Sequence, residues 1–292
     1  MKRYLFGMAT ACALSACSGG NPFLDEEEPP TDPVAPGLVI PAEVASDLDS
    51  VVYDPTGPVP TLTVKGVTFE GDPFSEVYAR NTALDSGDYQ AFTRQASALD
   101  AHSTAYVRAI GDTQGAIVVT GGQFGYYNGG GTYSRAGAFD RPGPTQDTGN
   151  VKYSGTYVGL LNYPDNGNDL IPAPGVPVEQ RPRQAGRVTG DARIVADFDN
   201  NRVKGLVSNR NYTARDIALQ DLEIAPTDIN PDGSFAGEIT QNQQKKGEYG
   251  GIFGGPEASA VAGALYAEDH QQGLPDIEEY GLFVLDREPA TP

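Results

Sequence analysis

Between Arg187 and Phe198 the apolar and small residues fall on every second position. Val188, Gly190, Ala192, Ile194, Ala196 and Phe198 share one parity; Arg187, Thr189, Asp191, Arg193 and Asp197 share the other, with Val195 the exception. A period of two is the repeat of an extended strand buried on one face. The chain carries no long amphipathic helical pattern to set beside it. Short runs rich in Val, Thr, Tyr, Phe and Ile, punctuated by Gly, Asn, Asp and Pro, repeat the strand signature from Thr61 onward. The fold class is therefore all-β.

Residues 150–292 hold the more regular series. Candidate strands are Lys152–Tyr163, Arg187–Phe198, Arg202–Ser208, Ile217–Ala225, Ser234–Thr240, Glu248–Gly254, Ser259–Ala267 and Glu279–Asp286. A tight two-residue loop is expected at Asp199–Arg202, where Asn200 and Asn201 accept positive φ, pairing Phe198 with Val203. A bulge near Gln220 or Asp221 would reconcile the two parities of Ile217–Ala225. Large residues alternate with glycine on the inward face, as in Tyr153, Gly155, Tyr157, Gly159 and Leu161, or Phe235, Gly237 and Ile239. That alternation suits the filled interior of a small closed barrel. The outward Arg187, Asp191, Arg193, Asp197 and Lys204 do not form the apolar band of a membrane barrel. The expectation is a C-terminal eight-stranded antiparallel soluble β-barrel, preceded at 61–149 by a smaller β-rich domain. Strands in that first part are expected at Thr61–Phe69, Tyr89–Arg94, Ala105–Ile110, Ala116–Thr120, Gln123–Tyr127 and Thr132–Phe139.

The first sixteen positions read as a secretory signal. Lys2 and Arg3 precede an apolar run, Tyr4–Leu14, which is well short of the roughly twenty residues that span a bilayer. Leu14, Ser15, Ala16 and Cys17 follow and resemble the lipobox of bacterial lipoproteins. The resemblance implies cleavage before Cys17 and its lipidation, which makes a membrane the first partner, held through acyl chains and not through a spanning helix. Cys12 lies in the segment to be removed, so the mature chain forms no internal disulfide. Ser18, by resemblance to enteric sorting rules, favours the outer membrane, with the cell surface as the exposed side. Residues 17–60 contain the acidic run Asp25–Glu28 followed by Pro29, Pro30, Pro33, Pro36 and Pro41. They read as a lipidated disordered tether, with packing of Leu38–Val52 on the domain as the alternative.

The formal net charge is −19. Nucleic acid is excluded as a partner, because its phosphates require clustered Lys and Arg. Catalysis finds no support: there is no Gly-x-Ser-x-Gly motif, and the one cysteine left after processing is the lipidated one. The chain reads as a non-enzyme without cofactor or metal. His102 and His270, the only histidines, sit in polar stretches that read as turns. Asp165, Gly167 and Asp169 lack the rest of a calcium loop. The stretch Pro164–Ala185 is long for a connection inside a compact barrel, and its prolines argue against a missed strand. The candidate partner-binding residues are Phe124, Tyr126, Tyr127, Tyr133 and Arg135, around Gly129, Gly130 and Gly131. Tyr and Arg dominate interface hot spots; a plain hairpin with a flexible tip is the alternative.

The barrel region carries a family resemblance. Tyr153, Gly155 and Tyr157 open it. Gly186, Val188, Ala196, Asp197, Phe198, Val203 and Gly205 follow, then Gly233, Phe235 and Gly237. Gly251, Phe253, Gly254, Pro256, Glu257 and Ala258, with Val261, Ala262 and Gly263, close it. This order resembles the barrel domain of transferrin-binding protein B lobes and of related surface lipoproteins such as factor H-binding protein and hemophilin-like haemophores. The resemblance implies a handle-like domain at 61–149 ahead of the barrel. It also implies a binding protein for a protein, iron or haem source, with a TonB-dependent receptor as a candidate partner. Transferrin-binding protein B has two such lobes, and this chain has room for one. A small-ligand carrier barrel and a structural envelope lipoprotein stay open as alternatives.

Overall fold

The computed structural model describes residues 38–68, 72–121, 127–143 and 150–289. They belong to one compact unit and form two antiparallel meanders. The first is a seven-stranded sheet in sequence order: β1 (Leu48–Asp54), β2 (Thr61–Val67), β3 (Pro73–Arg80), β4 (Gln90–Arg94), β5 (Ser103–Ile110), β6 (Thr113–Thr120) and β7 (Gly129–Arg135). It curls until its edges almost meet, where Asp47 N donates to Gly129 O at 3.2 Å.

The second meander is the expected eight-stranded closed antiparallel barrel. Its strands are β8 (Asn150–Pro164), β9 (Ala185–Asp197), β10 (Arg202–Tyr212), β12 (Leu222–Asp228), β13 (Ser234–Gln241), β14 (Gln244–Gly254), β15 (Ala260–Glu268) and β16 (Glu278–Arg287). The two-residue β11 (Ile217–Ala218) pairs with the end of β10. Closure comes from β16 against β8, with Glu279 opposite Leu161 and Phe283 opposite Tyr157.

The inward parity read from the sequence is the one observed. Tyr153, Tyr157, Val188, Ile194, Phe235 and Phe253 lie in the barrel core. At one end Phe253 packs against Phe198 and Phe235, both at ring-centroid distances of 5.0 Å, and against Tyr153 at 5.4 Å. The glycines of the inward rows make room for such rings: a Cβ at Gly251 would meet the Phe235 ring, and one at Gly263 the Phe283 ring.

A second core cluster joins the two meanders. It combines Tyr89, Tyr106, Ile117, Val119 and Tyr133 of the first with Val158, Leu160, Ile252, Ala264, Leu282 and Val284 of the barrel's outer face. The barrel therefore stands in water on its β9–β13 side, where the outward charges were read, and is covered on the β14–β16 and β8 side.

Several expectations are corrected. Within the segment read as tether, a four-residue helix α1 (Ala42–Ala45) buries Val44, and β1 buries Leu48 and Val51. β3 was not anticipated; its inward row is Phe74, Glu76, Tyr78 and Arg80, so charges on the concave face disguise the alternation. Gly129–Gly131 lie inside β7 and not at a hairpin tip. The turn after β9 spans Phe198–Asn201, since Asp197 pairs with Arg202 and Ala196 with Val203. Its extra length lets Asp197 accept from Asn200 N at 3.0 Å and Nδ2 at 2.8 Å, while Asn201 takes φ 52. The break at Leu219–Asp221 separates β11 from β12, and the register shift lies between the pairs Val203–Thr227 and Gly205–Ile224. Among the described residues no helix is long and apolar enough to cross a membrane.

Candidate ligand-binding cavity

The curled first sheet is filled at one end and open at the other. At the filled end Val51, Leu62, Phe92, Ala105, Val107 and Ala116 pack together, with Tyr53 edge-on to Phe92 at 6.2 Å. Toward the start of β1, β3 and β5 and the ends of β2, β4 and β6 the side chains stop short of one another. They leave a cavity of about 670 Å³ that opens to solvent. Its floor is Leu48, Val64, Phe74, Tyr78 and Val118; Asp47, Asp72, Glu76, Arg94, Asp100 and Ser103 supply the polar groups.

Position on the strands explains this division. Glu76, one inward position along β3 from Phe74, and Arg94 at the end of β4 close an ion pair at 2.5 Å. The pair leaves a charge-neutral bridge on one wall. Tyr78 is 4% exposed, and burial pushes its hydroxyl's pKa up against a weaker opposing hydrogen bond with Ser103. Asp47 sits where β1 fails to close on β7. Partial burial raises its carboxyl above the usual range, and the Gly129 amide pulls it part of the way back. Among the described residues no Lys or Arg pairs with Asp47, Asp72 or Asp100. The described lining contains no His, Cys or Met.

Of the residues singled out in the sequence, those that the structure describes lie elsewhere. Cys17, Phe124 and Tyr126 are outside the described residues. Tyr127 is half-buried against the barrel wall, donating to Leu160 O at 2.9 Å and packing on Tyr280 at 6.1 Å. Tyr133 is 1% exposed at the junction of sheet and barrel, its hydroxyl against Gly250. Arg135 is 3% exposed and donates to Phe253 O at 2.6 Å and Asp232 O at 3.0 Å. These three side chains therefore tie the sheet to the barrel and do not form an exposed tip. Among the described residues of that segment, Asn128 and Gly129 reach the cavity.

Both histidines are buried, not in solvated turns. His102 Nε2 stands 2.7 Å from Asp169 Oδ2, which fastens the long loop after β8 to the first sheet. His270 lies in the barrel beside a buried ion pair, Arg210 Nη2 to Glu279 Oε2 at 2.5 Å. Glu279 also accepts from the Tyr157 hydroxyl at 2.6 Å. Burial, reinforced by Arg210, holds the His270 imidazole well below its usual pKa, so it is neutral. Its Nε2 is 3.4 Å from Glu279 without hydrogen-bonding geometry, which fits a neutral ring and not an ion pair.

No protein-family model matches the chain, and no curated protein matches it. Among solved structures it is similar to a double mutant of transferrin binding protein B from Haemophilus parasuis, at 10% identity and TM-score 0.41, over 79% of this chain and 52% of that one. It is similar to the isotype 1 transferrin binding protein B of serogroup B Neisseria meningitidis at 14% identity and TM-score 0.32, over 82% of this chain and 52% of that one. A protein of unknown function from Nostoc punctiforme, of the DUF3598 family, aligns at 12% identity and TM-score 0.26, over 82% of this chain and 87% of that one. The chain thus spans about half the length of the transferrin binding proteins it matches.

Proposed function

We propose that this chain is a lipid-anchored envelope binding protein that takes its ligand in the open end of the first sheet. The cavity is the observation that supports this. A volume of about 670 Å³ falls within the range of roughly 300–1,000 Å³ found for small-molecule sites, and an apolar floor with a few placed polar groups is their usual make-up. The barrel interior, by contrast, is occupied by Tyr153, Tyr157, Arg210, Phe235, Tyr249 and Phe283, each less than 2% exposed. The carrier role read as an alternative for the barrel therefore moves to the sheet in front of it, and the barrel serves as its support.

The neutral apolar dye N-phenyl-1-naphthylamine tests the site. The full chain is expected to take it up saturably with enhanced fluorescence. Val118→Phe, which adds a ring to the cavity floor, is expected to abolish uptake while leaving the near-ultraviolet circular dichroism of the barrel aromatics unchanged. Absence of saturable uptake, or uptake unaffected by that variant, would refute the site. The anchor has a separate test. Cys17→Ala should release the protein from the membrane fraction and eliminate acyl labelling; a wild-type chain that carries no label would remove the anchor from the proposal.

A further inference from the structure

We propose that the ligand of this cavity is an amphiphilic cation, an apolar body bearing one ammonium or guanidinium group; the proposal rests on the reading of the cavity as a binding site. Two observations meet here. The floor of Leu48, Val64, Phe74 and Val118 offers apolar surface to a chain or ring, and burying such surface drives association. The charges around it are unbalanced. Arg94 is the single base of the lining and is engaged by Glu76 at 2.5 Å, which leaves Asp47, Asp72 and Asp100 without a basic partner among the described residues.

Asp47 is the group that matters most. It sits on the seam between β1 and β7, where its own amide donates to Gly129 O at 3.2 Å and its carbonyl accepts from Val67 N at 2.9 Å. The backbone is therefore fixed, while the half-buried carboxylate takes, among the described residues, a backbone hydrogen bond from Gly129. A carboxylate partly removed from water gains most from a cation brought to it. Phe74 and Tyr78 add aromatic faces to the same wall, and a cation over such a face is attracted by the ring quadrupole. Asp72 and Asp100 lie exposed at the mouth, and the chain as a whole carries −19. That field concentrates cations and repels anions before contact. Carboxylate- and phosphate-bearing ligands are disfavoured at the same place for the same reason.

The test uses the full chain carrying Cys17→Ala, so that no acyl anchor competes for amphiphiles, and isothermal titration calorimetry at low salt. The probes are octyltrimethylammonium, octyl glucoside and octanoate below their micelle concentrations, with tetramethylammonium as the head group alone. Octyltrimethylammonium is expected to bind one to one and at least tenfold more tightly than octyl glucoside, with octanoate weaker still and tetramethylammonium not retained. Asp47→Asn should weaken it about tenfold and lower the salt dependence. Asp100→Asn, at an exposed position, should weaken it less but in the same direction. Octanoate or octyl glucoside binding as tightly as the cation would overturn the proposed class and leave the cavity a binding site. No heat from any octyl probe, together with no dye uptake, would overturn both. Binding of the cation unchanged in both Asp variants would overturn the class as well.

Discussion

The most exacting residues in the molecule are Arg210 and Glu279, a charged pair with no exposure inside the barrel. Arg210 Nη1 donates to Gln220 O at 2.5 Å, and the Tyr157 hydroxyl donates to the second carboxylate oxygen at 2.6 Å. Gln241 Nε2 donates to Asp221 O at 3.1 Å and His270 O at 3.0 Å, so the loops that end the barrel are tied to the same group. Taking two charges out of water costs about what their attraction returns, but stranding one of them is heavily penalised. Glu279→Gln is therefore expected to cost about 3–5 kcal/mol, and the double change Arg210→Met with Glu279→Leu much less. Urea midpoints of the three proteins decide it; a double variant as unstable as the single one would show that the pair is worth more than its apolar replacement. His270 beside it makes an acid-side prediction. Above about pH 6.5 the ring is neutral folded and unfolded, and it contributes nothing to the pH dependence. Below that value the unfolded chain binds a proton that the buried ring refuses, because its folded pKa is held well down. Stability should then fall with falling pH by about 1.4 kcal/mol per unit until the folded pKa is reached. His270→Gln should remove that slope between about pH 6.5 and 5, before most carboxylates titrate. Equal slopes in variant and wild type would mean that the ring accepts a proton in place.

At the scale of elements, β7 decides how the first sheet meets the barrel. Its glycines allow the close approach: a Cβ on Gly131 would stand 2.7 Å from the Ala264 Cβ of β15, and one on Gly130 would collide with Ala45 O of α1. Gly131→Ala is expected to cost about 1–3 kcal/mol by overpacking, and Ala264→Gly in the same chain to recover part of it. A double-mutant cycle with no coupling would separate the two positions. The same strand shows where sequence reading stopped. Barrel strands were legible because one face is apolar and the period of two is clean, as from Val188 to Ala196. The turn at Pro256–Ala258 falls in the stretch that carries the family resemblance. Its Glu257 and Ala258 take φ 50 and 52, held by Tyr153 donating to Ala258 O at 2.6 Å. The triple glycine was misread because glycine signals a flexible tip when no neighbour is known, whereas here a strand of another sheet is the neighbour. The cavity was hidden for a related reason. It depends on β1, masked by flanking prolines, and on β3, whose inward Glu76 and Arg80 invert the expected pattern. The burial of His102 was equally invisible, since its partner Asp169 lies far along the chain in the long loop.

For the whole molecule, the question is whether sheet and barrel unfold together. Their shared core cluster places Val158, Leu160, Ile252, Ala262, Leu282 and Val284 of the barrel under the first sheet. The joint is polar as well as apolar. Tyr89 reaches from the loop before β4 into the seam of β8 and β16, donating to Thr156 O at 2.9 Å while Val284 N donates to its hydroxyl at 2.8 Å. Arg108 of β5 donates to Val284 O at 2.7 Å. The barrel ladder skips these positions between the pairs Phe283–Tyr157 and Asp286–Ser154. Side chains of the first sheet thus supply hydrogen bonds that β8 and β16 do not give each other. A barrel cut from residues 150–292 would leave those backbone groups without their partners and open an apolar face to water. Each lost partner of a buried polar group costs about 1–3 kcal/mol, and a contiguous exposed apolar face promotes association. The fragment is expected to keep a β-type circular dichroism spectrum, to unfold at lower urea than the full chain, and to self-associate as its concentration rises. The full chain should melt in one calorimetric transition whose van 't Hoff and calorimetric enthalpies agree. Tyr89→Phe removes both hydroxyl bonds and little else, so it should move that single transition downward without splitting it. Two resolved transitions in the full chain, or a monomeric fragment as stable as the barrel within it, would show that the junction is a contact between independent folding units.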